Sequence, residues 1–171
     1  RQPQLQLRLP TERYYEEEGR AELTPRDFGI LMHRVFENAA TTDEIYMAIE
    51  AMTQDGVLDE KEAPRLRELV EKALADPVTA EWFGGRWQVV RNENEIILPG
   101  SGTTRRPDRV MTDGERAVVV DYKFGDRETA RHRKQIREYL RLLRQMGYTR
   151  TEGYLWYVRL GRTERVEEKE D

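Results

Sequence analysis

Residues 106–125 carry the pattern that constrains this chain most. They read Arg106-Pro107-Asp108-Arg109-Val110-Met111, a Thr112-Asp113-Gly114-Glu115 turn, then Arg116-Ala117-Val118-Val119-Val120-Asp121-Tyr122-Lys123. Asp-Gly between two apolar runs predicts a β-hairpin, because the turn needs positive φ and glycine adopts it without steric cost. Val118-Val119-Val120 is continuous and β-branched, which predicts a strand buried on both faces. The two-residue period of a strand then puts Asp121 and Lys123 on one side of it. Asp108 opens the partner strand across the hairpin. Two carboxylates and an ammonium beside three valines are costly to bury without a partner. A divalent cation and a phosphate group are partners of the right kind.

The flanking segments supply the rest of a single α/β unit. Thr24-Pro25-Arg26-Asp27 is a helix start, with Thr24 as N-cap and proline at the first helical position. The helix it opens is expected to bury Phe28, Leu31, Met32, Val35 and Phe36, leaving Gly29, His33 and Glu37 four apart along one edge. Two further helices are expected over residues 42–52 and 59–74, separated by Gln54-Asp55-Gly56 and stopped by Pro77. Residues 86–98 return to strand character, with Trp87, Val89 and Ile96-Ile97-Leu98, and Pro99-Gly100-Ser101-Gly102 turns the chain into the hairpin. Residues 126–146 form an amphipathic helix packing through Ile136, Leu140 and Leu143, ended by Gly147. A last strand follows over residues 152–160. Leu5-Gln6-Leu7-Arg8-Leu9 alternates, as a short strand or a linker would. A three-strand meander, a helix and a further strand imply a right-handed crossover between parallel strands.

At 171 residues the chain suits one domain with its own core. No run approaches the roughly 18 apolar residues a membrane helix needs, and no signal peptide is visible. With no cysteine, disulfides, thiol catalysis and cysteine-ligated metals are excluded. The net charge of −4 does not by itself point to nucleic acid. Its distribution is more informative: Arg127, Arg131, Arg133, Lys134, Arg137, Arg141, Arg144 and Arg150 face only Glu128 and Glu138 in that span, and Arg105, Arg106 and Arg109 crowd the first hairpin strand. Glu16-Glu17-Glu18 and residues 164–171 are acidic instead. A basic stripe beside the Asp/Lys cluster suits phosphate binding; a solvated helix face is the plainer reading.

Pro107-Asp108 followed by Asp121-Tyr122-Lys123 resembles the PD-(D/E)xK nuclease motif. Upstream, Gly29-Ile30-Leu31-Met32-His33-Arg34-Val35-Phe36-Glu37 is similar to the G-x-x-x-H-x-x-x-E helix of RecB-type nuclease domains. Downstream, Gln135-Ile136-Arg137-Glu138-Tyr139 is similar to their Q-x-x-x-Y helix. Such domains stand at the C-terminus of UvrD/AddA/RecB-group helicase-nucleases. The resemblance implies a restriction-endonuclease-like α/β core, a mixed central sheet flanked by helices, with an N-terminal helical insert. It places one nuclease domain over residues 24–162, its helical part over 24–82 and its catalytic sheet and helix over 86–160. Residues 1–23 are then a linker or short strand from a larger parent chain, from which the domain beginning at Arg1 is cut, and residues 163–171 an acidic tail expected to fray.

It further implies a Mg²⁺ site, with Mn²⁺ as a substitute, held by His33, Asp108, Asp121 and the Tyr122 main-chain carbonyl. Asp108, Asp121 and Lys123 form the catalytic set, Lys123 orienting or deprotonating the attacking water. A surface ion pair at a strand end is the competing reading of Asp121 and Lys123; a packed core histidine is that of His33. Gln135 and Tyr139 are implied to bind DNA, although Tyr139 equally extends the core stripe, and Arg106 adds a phosphate contact. Glu37 hydrogen-bonds a group behind the metal ligands or pairs with Arg34 or another basic residue. Glu93, with Glu95 as the fallback, is the acid expected on the preceding strand. His132, among arginines, is expected at the surface or on a phosphate.

The implied activity is that of a metal-dependent deoxyribonuclease, exonucleolytic rather than endonucleolytic. It would act on single-stranded DNA inside an ATP-dependent helicase-nuclease of bacterial cytoplasm, in double-strand-break repair. The alternatives are a stand-alone RecB-like nuclease and an inactive DNA- or protein-binding module. The iron–sulfur cluster of some RecB-type nucleases is excluded by the lack of cysteine.

Overall fold

The computed structural model describes residues 25–92, 106–124 and 130–169. In chain order the elements are α1 (Pro25–Phe36), α2 (Thr42–Gln54), α3 (Glu62–Ala73), α4 (Pro77–Trp82), β1 (Val89–Asn92), β2 (Arg109–Asp113), β3 (Arg116–Lys123), α5 (Ala130–Gln145), β4 (Arg150–Tyr157) and β5 (Arg162–Val166). The strands form one mixed sheet in the order β1-β2-β3-β4-β5. Only β3 and β4 pair in parallel, and α5 is the crossover between them. This is the expected α/β architecture.

The hairpin forms as its turn residues dictate. Asp113 pairs with Arg116, leaving Gly114-Glu115 as the loop, and Gly114 takes φ 58°. On β3 every side chain from Ala117 to Tyr122 is buried. Its alternation feeds two cores. Val118, Val120 and Tyr122 join α1–α4, while Ala117 and Val119 join α5. The first core is aromatic at its centre, with Phe36 lying 5.1 Å from Trp156, 5.5 Å from Tyr122 and 5.6 Å from Phe83 between ring centroids. In α1, Leu31, Met32, Val35 and Phe36 face this core.

On the other face, α5 buries Ile136, Tyr139, Leu140, Leu142 and Leu143. It ends in a Schellman motif: Tyr148 N–H donates to the Leu143 carbonyl at 3.3 Å and Gly147 N–H to Arg144 at 3.0 Å. Gly147 supplies the φ of 105° this requires. The helix lies so close to β4 that a Cβ on Gly153 would stand 2.5 Å from Ile136 Cγ2.

Two expectations are corrected. Pro77 begins a helix as well as following one: Asp76 accepts the Val78 N–H at 2.8 Å, and Pro77 occupies the first turn of α4. Residues 163–166 of the acidic tail, expected to fray, belong instead to strand β5, paired antiparallel to β4 from Gly153↔Val166 to Tyr157↔Arg162. Val166 is buried in the second core, and main-chain pairing offsets the lack of other apolar side chains. The expected strand at residues 5–9, the Thr24 cap, the Phe28 side chain, residues 93–105 and the first turn of the expected helix at 126 lie outside the described residues. No helix among the described residues is long and apolar enough to cross a membrane.

Candidate active site

Asp108 precedes β2 by one residue, and the pairing of Arg109 with Val120 sets it opposite Asp121. The two strands hold each other's carboxylates. Asp108 N–H donates to Asp121 Oδ1 at 3.0 Å, and Tyr122 N–H donates to Asp108 Oδ2 at 2.7 Å. Where the regular ladder ends, these amides take side-chain acceptors and fix both carboxylates in orientation. Lys123 Nζ lies 3.8 Å from Asp121 Oδ2, and the Asp121 side chain is only 5% exposed.

His33 reaches the same place from α1. Its Nε2 lies 3.3 Å from Asp108 Oδ1, and its Nδ1 lies 3.7 Å from Glu37 Oε2. Gly29, one turn earlier, lets the helix come this near: a Cβ there would meet the Phe124 Cβ at 3.2 Å, just past Lys123. Tyr122 contributes main chain at the surface and a ring in the core. Since its N–H turns toward Asp108 while the Lys123 carbonyl accepts from Val158 on the β4 side, strand alternation puts the Tyr122 carbonyl on the Asp108 side. Burial pushes the Tyr122 phenol well above its ordinary range, and the nearby Arg109 charge only partly opposes that.

The structure brings together His33, Glu37, Asp108, Asp121, Tyr122 and Lys123. It treats the expected DNA contacts differently. Arg106 is exposed and Gln135 half-buried, with no hydrogen-bond partner for its Oε1 among the described residues. Tyr139 is 1% exposed and packs in the second core, so its ring is beneath the surface and not on it. His132 is also turned partly inward, with its Nδ1 buried. Glu93 and Glu95 lie outside the described residues.

The basic stripe is also divided. Arg133 pairs with Glu164 at 2.5 Å, Arg137 donates to the Glu167 carbonyl at 3.2 Å, and Arg144 pairs with Glu168. The acidic C-terminal segment thus covers one flank of α5, while Arg131, Lys134 and Arg141 stay exposed. Arg109, counted with the surface basic residues from its sequence neighbours, is fully buried. Its guanidinium donates to the carbonyls of Ala39 at 2.5 Å, Ala40 at 2.7 Å and Trp82 at 2.7 Å. Strand parity held the signal: Arg109 shares a face with buried Met111, opposite to Asp108 and Val110.

The donor chemistry here, two carboxylates with an imidazole and a main-chain carbonyl beside them, suits a hard divalent cation. Among the described residues, however, no three His, Asp or Glu groups stand together at ligand spacing. The carboxylates are engaged by amides, Lys123 and His33, and the 3.3 Å between His33 Nε2 and Asp108 Oδ1 is a separation that two ligands of one cation can take. The residues fit such an ion in kind and position.

Comparison with known proteins agrees with this geometry. A search of curated proteins finds no match. A family model, the PD-(D/E)XK nuclease superfamily, matches residues 4–171, nearly the whole chain. With the mixed sheet and the hairpin carboxylates in place, the chain belongs to the PD-(D/E)XK nuclease superfamily.

Proposed function

We propose that the chain hydrolyses DNA phosphodiester bonds, with Mg²⁺ as its working ion and Mn²⁺ as a substitute. The observation that carries this reading is the crossed pair, Asp108 and Asp121, each held by a main-chain N–H of the opposite strand with Lys123 beside them. Two acids held this way contribute little to folding and much to a site that gathers positive charge. When bound, a divalent cation would hold a phosphate oxygen and lower the pKa of a water. His33, Asp108, Asp121 and the Tyr122 carbonyl are the groups that would hold it.

Lys123 takes the role of orienting or deprotonating the attacking water and of balancing charge on the phosphate. Glu37, 3.7 Å from the far nitrogen of His33, is placed to orient the ring by charge. Arg106 and Gln135 line the approach of the DNA. Tyr139 acts from below, by seating the α5 face that carries Gln135. Exposed Arg131, Lys134 and Arg141 add a sequence-independent attraction for a phosphate backbone.

A single strand delivered by a helicase motor, exonucleolytic action and a part in double-strand-break repair are the finer proposals. They rest on the three signatures occurring in order: His33 with Glu37, Asp108 with Asp121 and Lys123, and Gln135 with Tyr139. A second reading, a module that binds DNA or protein without cutting, is favoured by the absence of a ready three-ligand group among the described residues.

Cleavage of single-stranded DNA in Mg²⁺, Mn²⁺ or EDTA, by wild type, Asp121→Ala and Lys123→Ala, separates the two. Metal-dependent cutting lost in both variants is the expected outcome. DNA binding with no cutting and no calorimetric Mn²⁺ binding would establish the second reading.

A further inference from the structure

We propose that Arg109 is a positioning residue for this site: its guanidinium ties the segment after the His33 helix to the strand that opens at Asp108, and so sets the imidazole against the carboxylate. The inference rests on the reading of His33 and Asp108 as ligands of one ion.

Arg109 follows Asp108 directly, and strand alternation turns the two side chains to opposite faces of the sheet. Asp108 faces the site, while Arg109 enters the first core and is 0% exposed. Its hydrogen bonds among the described residues all go to main-chain carbonyls: those of Ala39 and Ala40, just beyond Glu37, and that of Trp82, the last residue of α4. Such carbonyls at and beyond helix ends lack intrahelical partners, and the negative end of the helix dipole favours a cation there. The Phe83 ring, whose centroid is 4.0 Å from the guanidinium carbon, covers the ion.

A buried charge that forms no ion pair with a carboxylate among the described residues is a costly way to fill a core position. A methionine would fill similar volume. What the planar fork adds is geometry, because its rigid donors fix several acceptors at once, which an ammonium cannot do. Here two of those acceptors, Ala39 and Ala40, follow the helix that carries His33, and the third ends α4.

The contacts form a closed circuit. From His33 the chain runs through Glu37 to Ala39 and Ala40, across to Arg109, back one residue to Asp108, and from Asp108 Oδ1 over 3.3 Å to His33 Nε2. The third strand is tied in as well. The Tyr122 phenol stands close enough to the guanidinium to exchange charge effects with it, though among the described residues neither Arg109 Nε nor the phenol oxygen is within hydrogen-bond geometry of a partner. The Tyr122 amide meanwhile holds Asp108 Oδ2 at 2.7 Å. One side chain thus joins the link after α1 to the end of α4.

The test is Mn²⁺ binding by calorimetry to the metal-free protein, with thermal melting alongside. The proteins are wild type, Arg109→Lys, Arg109→Met and Val70→Ala. Val70, fully buried on α3, serves as a control that lowers stability without touching the site. Binding is measured at a temperature where circular dichroism shows each protein folded. Arg109→Lys is expected to raise the Mn²⁺ Kd by about tenfold or more, as loss of a supporting group typically does. Val70→Ala, melting lower, keeps the wild-type Kd. If Arg109→Met does not fold, Arg109→Lys alone decides the matter. Wild-type Mn²⁺ affinity in a lower-melting Arg109→Lys would overturn the proposal and leave Arg109 a core residue only. Failure of wild type itself to bind Mn²⁺ would overturn the metal reading, and this inference with it.

Discussion

At the turn end of the β2–β3 hairpin, Arg116 donates through Nε to Glu152 at 2.6 Å and through NH1 to Glu81 at 2.5 Å, with its guanidinium 4.9 Å from the Trp87 ring centroid. At the open end, Asp108 and Asp121 face each other, and Lys123 stays 3.8 Å from the nearer carboxylate oxygen. The formal balance is the same at both ends, one lysine or arginine and two carboxylates. The geometry differs. Arg116 takes up its acids directly in charge-assisted bonds, whereas the open end aims its acids with main-chain amides. Acids aimed by amides make a site; acids bonded directly to an arginine make a fastening.

The largest effect that sharpens this contrast comes from Asp121→Asn. It keeps an acceptor for the Asp108 amide but removes the charge, so cleavage is expected to fall by about 10²–10⁴-fold. The melting temperature should hold or rise as repulsion with Asp108 is relieved, which calorimetry would show. Next is Gly153→Ala, whose Cβ would collide with Ile136 on α5. Overpacking of this kind costs about 1–3 kcal/mol. By shifting the helix that carries Gln135 it should weaken DNA binding too, measured by urea denaturation and by fluorescence anisotropy.

Arg116→Met should cost about 1–2 kcal/mol, the exposed Glu81 contact contributing least. Cleavage per folded molecule should stay within about twofold, which would break the comparison if it failed. The smallest effect is on pH. Burial pushes the Glu152 carboxyl up, but its bond to Arg116 outweighs that and holds it below the ordinary value. A folded-state pKa lowered in this way stabilises the protein above the unfolded value of about 4.3 and ceases to do so as pH falls through the lowered one. Glu152→Gln should therefore flatten the acid limb of a urea-midpoint profile and leave the neutral region's slope unchanged.

What could be read from the sequence was whatever local chemistry dictates. Asp113-Gly114 required its turn, Val118-Val119-Val120 its burial, and the apolar spacing of Ile136, Leu140 and Leu143 its helix. Asp108, Asp121, Lys123 and His33 assemble because two strands and one helix were placed correctly. What escaped depended on distant partners. Arg109 looked like surface charge until the carbonyls of Ala39, Ala40 and Trp82 converged on it. Strand β5 is polar along most of its length and becomes a strand only because β4 offers an edge. The basic stripe and the acidic tail, read as separate surfaces, partly neutralise one another through Arg133–Glu164 and Arg144–Glu168. Tyr139 sat in a motif and in a packing stripe at once, and burial decided where its ring lies. Pro77 was legible as a helix start through Asp76, had the Asp-Pro pair been weighed as a cap.

The most direct measurement sets the two ends of the hairpin side by side: Mg²⁺-dependent cleavage of single-stranded DNA by wild type, Lys123→Ala and Arg116→Met, each normalised to folded protein. Cleavage by wild type and Arg116→Met, abolished by EDTA and lost in Lys123→Ala, is the predicted result. No cleavage by wild type, or equal loss in both variants, would contradict the assignment of chemistry to the open end.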